Sequence, residues 1–146
     1  MTGIRIGHGV RVIVADGRKA LLLCNEGSAL DPELRLEKLL EAPPNPPTHE
    51  QGSDAPGRAM VPGRKSAVGQ TDWHQRGEER FVADAAKLLG QICLDRDAKG
   101  LIVAAPPKAL ADIRKALPKA LRPLIVAEFD KDLTKLPIDE IESHLV

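Results

Sequence analysis

Val10-Arg11-Val12-Ile13-Val14-Ala15-Asp16 is the stretch on which the fold turns. β-branched residues run through it with a single basic charge among them, as expected of a strand placed centrally in a sheet. Asp16-Gly17 follows, a strong short-range turn signal. Lys19 to Cys24 is again mostly apolar, so the two runs predict an antiparallel hairpin. Leu34-Arg35-Leu36-Glu37-Lys38-Leu39-Leu40 opens with strand-like alternation, although its leucines also fall at spacings that a short helix accepts. A third strand extending the meander is the reading favoured here, because it pairs directly with the second.

Outward from this hairpin the pattern changes to helix and buried strand. Leu101-Ile102-Val103-Ala104-Ala105 is uncharged and closed by Pro106-Pro107, which suits a strand buried on both faces. Before it, Asp72 can cap a long helix, with Gln75 in the capping-box position. Phe81, Ala85, Leu88, Leu89 and Ile92 then form one predicted apolar stripe, with Glu78, Glu79, Arg80, Asp84 and Lys87 left to solvent. A crossover helix of this kind makes the strand it feeds parallel to its neighbour. Pro107 is suited to open a second helix that buries Leu110, Ile113 and Leu117, and Pro118 ends it. Leu124 to Phe129 is the last predicted strand, and Pro137 introduces a final helix with Ile138, Ile141 and Leu145 turned inward. The predicted class is α/β in one domain, residues 1–146: a mixed sheet, an antiparallel meander followed by parallel strands, covered by helices.

Composition agrees with one compact domain of 146 residues. Aromatic residues are 2% of the chain, so the core has to be built from Leu, Ile, Val and Ala. Lys plus Arg equals Asp plus Glu at 21 each, which excludes a bulk field drawing the whole molecule to nucleic acid or anionic lipid. Any RNA contact therefore has to be local. No apolar run approaches the roughly 20 residues of a membrane span, and Met1 to Val10 lacks the apolar stretch of a signal peptide, so a cytoplasmic protein with no membrane partner is expected. Cys24 and Cys93 lie in apolar segments outside any CxxC pattern and read as reduced, buried small hydrophobes. Gly3 to Gly9 reads as a loose terminus. No cofactor is implied.

From Ala42 to about Thr71 the chain is crowded with Pro43, Pro44, Pro46, Pro47, Gly52, Pro56, Gly57, Pro62, Gly63 and Gly69, and large apolar residues are few. Such a stretch reads as a long loop, and loops of that length are usually functional or disordered. Arg58, Arg64, Lys65 and Arg76 make it locally basic, which suits phosphate contacts and equally suits plain solvation.

A wider resemblance runs from Val12 to Leu145. Val14-Ala15-Asp16-Gly17, Pro62-Gly63-Arg64, His74-Gln75 with Glu79-Arg80-Phe81, Val103-Ala104-Ala105-Pro106-Pro107, and Glu128-Phe129-Asp130-Lys131-Asp132-Leu133-Thr134-Lys135-Leu136-Pro137 follow one another in this order. Together they resemble the host-attachment family, "protein required for attachment to host cells", which is similar to the middle domain of eukaryotic and archaeal peptide release factors, a ribonuclease-H-like α/β module. The resemblance implies a release-factor-like, translation-associated binding domain that contacts ribosome or tRNA through its basic loop, with Arg58, Arg64, Lys65, His74 and Arg76 as binding residues. Release factors carry a Gly-Gly-Gln tripeptide on a mobile loop. Here the corresponding residues are Val68-Gly69-Gln70, so Gly69 and Gln70 are the catalytic candidates, and Val68 departs from the pattern because a β-branched residue resists backbone angles that glycine permits.

Two further readings stand beside this one. A metal-dependent hydrolase would need carboxylates converging on a divalent cation. Asp16, Asp130 and Asp132, with Glu128, lie at or beyond strand ends, where turn and capping roles account for them as well. A protein-interaction or regulatory module in host attachment is the third. His8, His49 and His144 are isolated, and the Asp72/His74 pair has no third ligand nearby. No nucleophile elbow, phosphate loop with Lys or CxxC pair occurs, so no complete catalytic site is expected.

Overall fold

The computed structural model describes residues 6–42 and 62–145, with the side chains of 62–75 left aside. Five strands form one sheet: β1 (Val10–Ala15), β2 (Lys19–Asn25), β3 (Leu34–Glu41), β4 (Gly100–Ala104) and β5 (Ile125–Phe129). Their order across the sheet is β3-β2-β1-β4-β5. β2 is antiparallel to both β1 and β3, whereas β4 runs parallel to β1 and β5 parallel to β4. This is the mixed sheet that the sequence predicts, with β3 a strand. Every residue of β1 and of β4 is buried, as their unbroken apolar runs require.

Helices α1 (Pro62–Asp95), α2 (Pro107–Ala116) and α3 (Ile138–Leu145) cover the two faces, and a 3-10 segment (Lys119–Leu124) leads into β5. Alternation along the strands assigns the sides. Ile13, Leu22, Leu101 and Val103 pack against Val82, Ala86 and Leu89 of α1 and Leu110 and Ile113 of α2. Val12, Val14, Leu23 and Ile102 point the other way, onto Leu133 and onto Ile141 and Leu145 of α3. Leu89, Leu121, Ile141 and Leu145 are all fully buried, so each face of the sheet has an apolar layer closed to bulk solvent.

Three expectations need correction. Helix α1 begins at Pro62, ten residues before Asp72, so the last part of the expected 42–71 loop is helical and Asp72 is an interior residue instead of a cap. Proline costs nothing as a first helical residue, because its missing N–H would have had no partner there. The buried stripe of α1 runs through Val82, Ala85, Ala86, Leu89 and Cys93, about one residue round from the predicted one, and leaves Leu88 exposed. Small side chains at the centre of that stripe let the helix lie close to its neighbours. Gly90 serves the same end, since a Cβ there would stand 2.5 Å from Pro118 Cδ at the head of the 3-10 segment. Thirdly, the part of the N-terminal stretch that is described is tied down. Ile6 is fully buried, and the buried side-chain amide of Asn25 donates to Ile6 O at 2.6 Å and Gly7 O at 3.1 Å. Asn25 Oδ1 accepts from Gly27 N and Glu33 N, both at 2.8 Å, so one side chain closes the β2–β3 turn and anchors the segment before β1.

The single charge in β1 has a dedicated partner. The β2–β3 register slips between Leu22, opposite Lys38, and Leu23, opposite Leu36, which leaves Glu37 as an extra residue. A bulge of this kind re-aims its side chain. Arg11 Nε and Nη2 donate to the two carboxylate oxygens of Glu37, each at 3.0 Å, and Nη1 donates to Gly9 O at 3.0 Å. Arg96 Nη1 adds a contact to Glu37 at 3.0 Å from the surface. Burial alone would lower the Arg11 pKa, but the hydrogen bonds and charge of Glu37 outweigh it and hold the pKa above the ordinary value. Cys24 lies opposite Arg11 in the β1–β2 ladder, and Cys93 comes from α1 on the same side of the sheet. Both thiols are free and buried, as expected, and burial pushes Cys93 up to about 11.

Two predictions follow from this packing. Glu37→Gln leaves the Arg11 guanidinium buried without its counter-charge and should cost about 2–4 kcal/mol in chemical denaturation, whereas Arg96→Ala, at the exposed end of the network, should cost under about 0.5 kcal/mol; equal effects would remove the buried pair from its structural role. The second concerns alkaline pH. A thiol whose folded pKa is raised stabilises the fold fully below the ordinary thiol range and loses that contribution as pH climbs through the folded value. Stability should therefore fall between about pH 9 and the folded Cys93 value of about 11. No tyrosine titrates in that window. Cys93→Ala should flatten the fall, as read by urea midpoints across the window, and an unchanged slope would contradict the assignment.

Candidate functional site

Parallel strands β1, β4 and β5 end on the same edge of the sheet, and chemistry-bearing side chains gather there. Asp16 follows β1 directly. Its Oδ1 accepts from the backbone N–H groups of Arg18 and Lys19, both at 2.8 Å, so the carboxylate holds the hairpin turn in the way asparagine and aspartate commonly do. Its Oδ2 is left to face Thr134, whose hydroxyl lies 2.9 Å away. Thr134 is buried and comes from the segment between β5 and α3. The same hydroxyl lies 2.7 Å from Asp132 Oδ1, which also accepts from Thr134 N at 3.0 Å. Lys19 Nζ reaches Thr134 O at 3.4 Å.

A threonine hydroxyl has one proton, so it donates to one of the two carboxylates at a time. The arrangement is thus a polar clasp: two acids share one donor, with an ammonium group beside them. It fixes the chain after β5 against the end of β1.

Of the acids weighed as metal-ligand candidates, the structure unites Asp16 and Asp132 through Thr134 and does not draw in Asp130, which is exposed. Glu128 goes to the opposite face, where Arg114 of α2 donates to it through Nε at 2.8 Å. Strand alternation is the reason, because Glu128 and Phe129 are successive residues of β5 and must point to opposite sides. Among the described residues no group of three or more His, Cys, Asp or Glu is placed to hold a metal ion.

The expected binding residues lie on or beyond α1. Gly17 stands against Glu78, since a Cβ on the glycine would fall 2.8 Å from Glu78 Oε1. Lys108 Nζ donates to Glu79 at 2.6 Å, joining the start of α2 to the same part of α1. That hydrogen bond and charge hold the Glu79 carboxyl below, and the Lys108 amine above, their ordinary values. The packed portion of α1 therefore starts over the edge that carries Asp16 and Thr134. Arg64, Lys65, Gly69, Gln70 and His74 belong to the part of the helix that precedes it, and Arg76 is exposed at the junction. Gly69 and Gln70 thus have helical backbone, with their amides committed to the helix, instead of lying in a loop as expected. Arg58 lies outside the described residues.

Sequence reasoning missed Thr134 and Lys19. Asp132-Leu133-Thr134 has the spacing of a local side-chain-to-backbone turn, which signals the Asp132 contact. Nothing in the sequence signals the bond to Asp16, 118 residues away.

The family model described as bacterial archaeo-eukaryotic release factor family 12 matches residues 9–145. No curated protein matches the chain. No helix among the described residues is long and apolar enough to cross a membrane.

Thr134→Val keeps the shape of the side chain but removes the shared donor and leaves Asp16 Oδ2 without it. Stability should drop by about 1–3 kcal/mol, and Thr134→Ser should retain most of it. Urea unfolding of the two variants checks this, and a valine variant as stable as the parent would show that the clasp contributes nothing.

Proposed function

The chain belongs to bacterial archaeo-eukaryotic release factor family 12, and from that premise we propose that it is a translation-associated binding domain that contacts ribosome or tRNA. The observation that carries the reading is the family match, which spans residues 9–145 and so takes in the whole sheet and all three helices. The contact is assigned to cations on the leading part of α1, Arg64, Lys65 and Arg76, with His74 beside them and Arg58 before the helix. Phosphate contacts position a nucleic-acid partner and draw on cations, which this stretch supplies in a chain of zero net charge.

Binding is proposed, not hydrolysis. Gln70 has helical backbone, and the strand-end acids meet as a pair around Thr134. A hydrolase reading would need more carboxylates at one point. A role in host attachment rests on the sequence resemblance alone and adds no residue to the site.

Co-sedimentation with ribosomes tests the proposal. The parent protein should pellet with ribosomes at low salt, and Arg64→Glu/Lys65→Glu should lose most of that association, on the order of tenfold, with a shallower salt dependence. Failure of the parent to pellet, or indifference to the charge reversal, would remove the assignment.

A further inference from the structure

The charge balance of the chain conceals a polarity. Pro107 to Leu124 contains Lys108, Arg114, Lys115, Lys119 and Arg122 against one acid, Asp112, whereas Glu128 to Glu142 contains six acids against Lys131 and Lys135. Within the basic segment two cations are already neutralised, Lys108 by Glu79 and Arg114 by Glu128. Lys115, Lys119 and Arg122 are exposed; Lys115 adds to the charge that lowers the Glu79 carboxyl without forming a salt bridge to it, and Lys119 and Arg122 have no acidic partner among the described residues. Arg122 Nη2 donates to Arg114 O at 3.3 Å, which holds its guanidinium beside the last turn of α2. The helix dipole favours Arg114 and Lys115 in that last turn. It does not account for Lys119 and Arg122, which lie beyond the helix in the 3-10 segment.

We infer that Lys115, Lys119 and Arg122 form a second cationic surface that contacts the phosphate backbone of RNA. Its position differs from that of the α1 cations: Lys119 and Arg122 lie in the 3-10 segment beyond α2, whereas Lys115, like Arg76, still acts on Glu79 of α1. The class of partner follows from what the surface lacks. A protein partner is met through an apolar, often aromatic centre with charges at the rim. None of the exposed large apolar side chains falls between Pro107 and Leu124, whereas a phosphate backbone requires only spaced, uncompensated cations. The inference takes RNA as the partner from the translation-associated reading and rests on it to that extent.

Fluorescence anisotropy with a labelled 30-nucleotide RNA hairpin, across 50–300 mM KCl, tests the surface apart from the ribosome. Lys115→Glu/Lys119→Glu/Arg122→Glu should weaken binding more than about tenfold and reduce the log–log salt slope by about 2–3, while Lys115→Arg/Lys119→Arg keeps both. Should the reversed protein lose its cooperative melt, the corresponding triple glutamine variant serves, with a slope change of the same sign. No binding by the parent at 50 mM KCl, an unchanged affinity and slope in the triple variants, or a polyglutamate peptide held as tightly as the hairpin would overturn the inference. Ribosome co-sedimentation separates it from the reading it extends. Hairpin binding that depends on these residues, without ribosome association, leaves the surface standing and removes the translation partner. Ribosome association indifferent to them, with hairpin binding also indifferent, removes the surface alone.

Discussion

Burial of β1 on both faces is the constraint on which the remaining architecture depends. A strand with no solvent side needs a neighbour along each edge and a layer above and below, because its peptide groups and its apolar side chains are all withdrawn from water. β2 and β4 supply the edges, one antiparallel and one parallel, and this mixture is what a tight turn followed by a helical crossover produces. The layers are unequal. α1 and α2 shield one face over its length, while the other relies on the eight-residue α3 and on Leu133. That difference explains why the chain after β5 must be held down by polar contacts as well as by packing.

Polar groups at the rim of this core are satisfied by a few residues with several bonds each. Asn25 ties the segment before β1 to the β2–β3 turn, Glu37 neutralises Arg11 from a bulge, and Thr134 joins the Asp16 turn to the segment before α3. Each unites stretches of chain distant in sequence. No described buried side-chain nitrogen or oxygen lacks a hydrogen-bond partner. In a core with so little aromatic surface, these contacts supply the directionality that packed aliphatic side chains lack.

What could be read from the sequence divides along the same line. The central strand, the Asp16-Gly17 hairpin, the buried β4 and the helix opened by Pro107 were legible, since each depends on local periodicity or on proline and glycine geometry. The bulge at Glu37 was not, because it registers one strand against another. The Asp16–Thr134 contact was not, because it joins the two ends of the chain. The start of α1 was misplaced for a subtler reason. Proline and glycine argue for loop wherever they cluster, yet Pro62 is at the one helical position where proline is favourable, and the helix runs on through Gly63 and Gly69. Of the candidate site, the individual residues Asp16 and Asp132 were visible; their meeting through a threonine was a product of the fold.

That meeting bears on what the strand-end acids do in this release-factor-family chain. Here the strand-end acids are committed: Asp16 to two backbone amides and a hydroxyl, Asp132 to the same hydroxyl and an amide. Groups held in this way fix geometry. Exposed cations without a salt bridge lie elsewhere, Lys115 at the end of α2 and Lys119 and Arg122 in the 3-10 segment, after the ion pairs of Lys108 and Arg114 are taken out. A sheet edge braced by hydrogen-bonded acids and a helical layer carrying exposed cations are thus separate features of the fold, the first fixing geometry and the second setting surface charge.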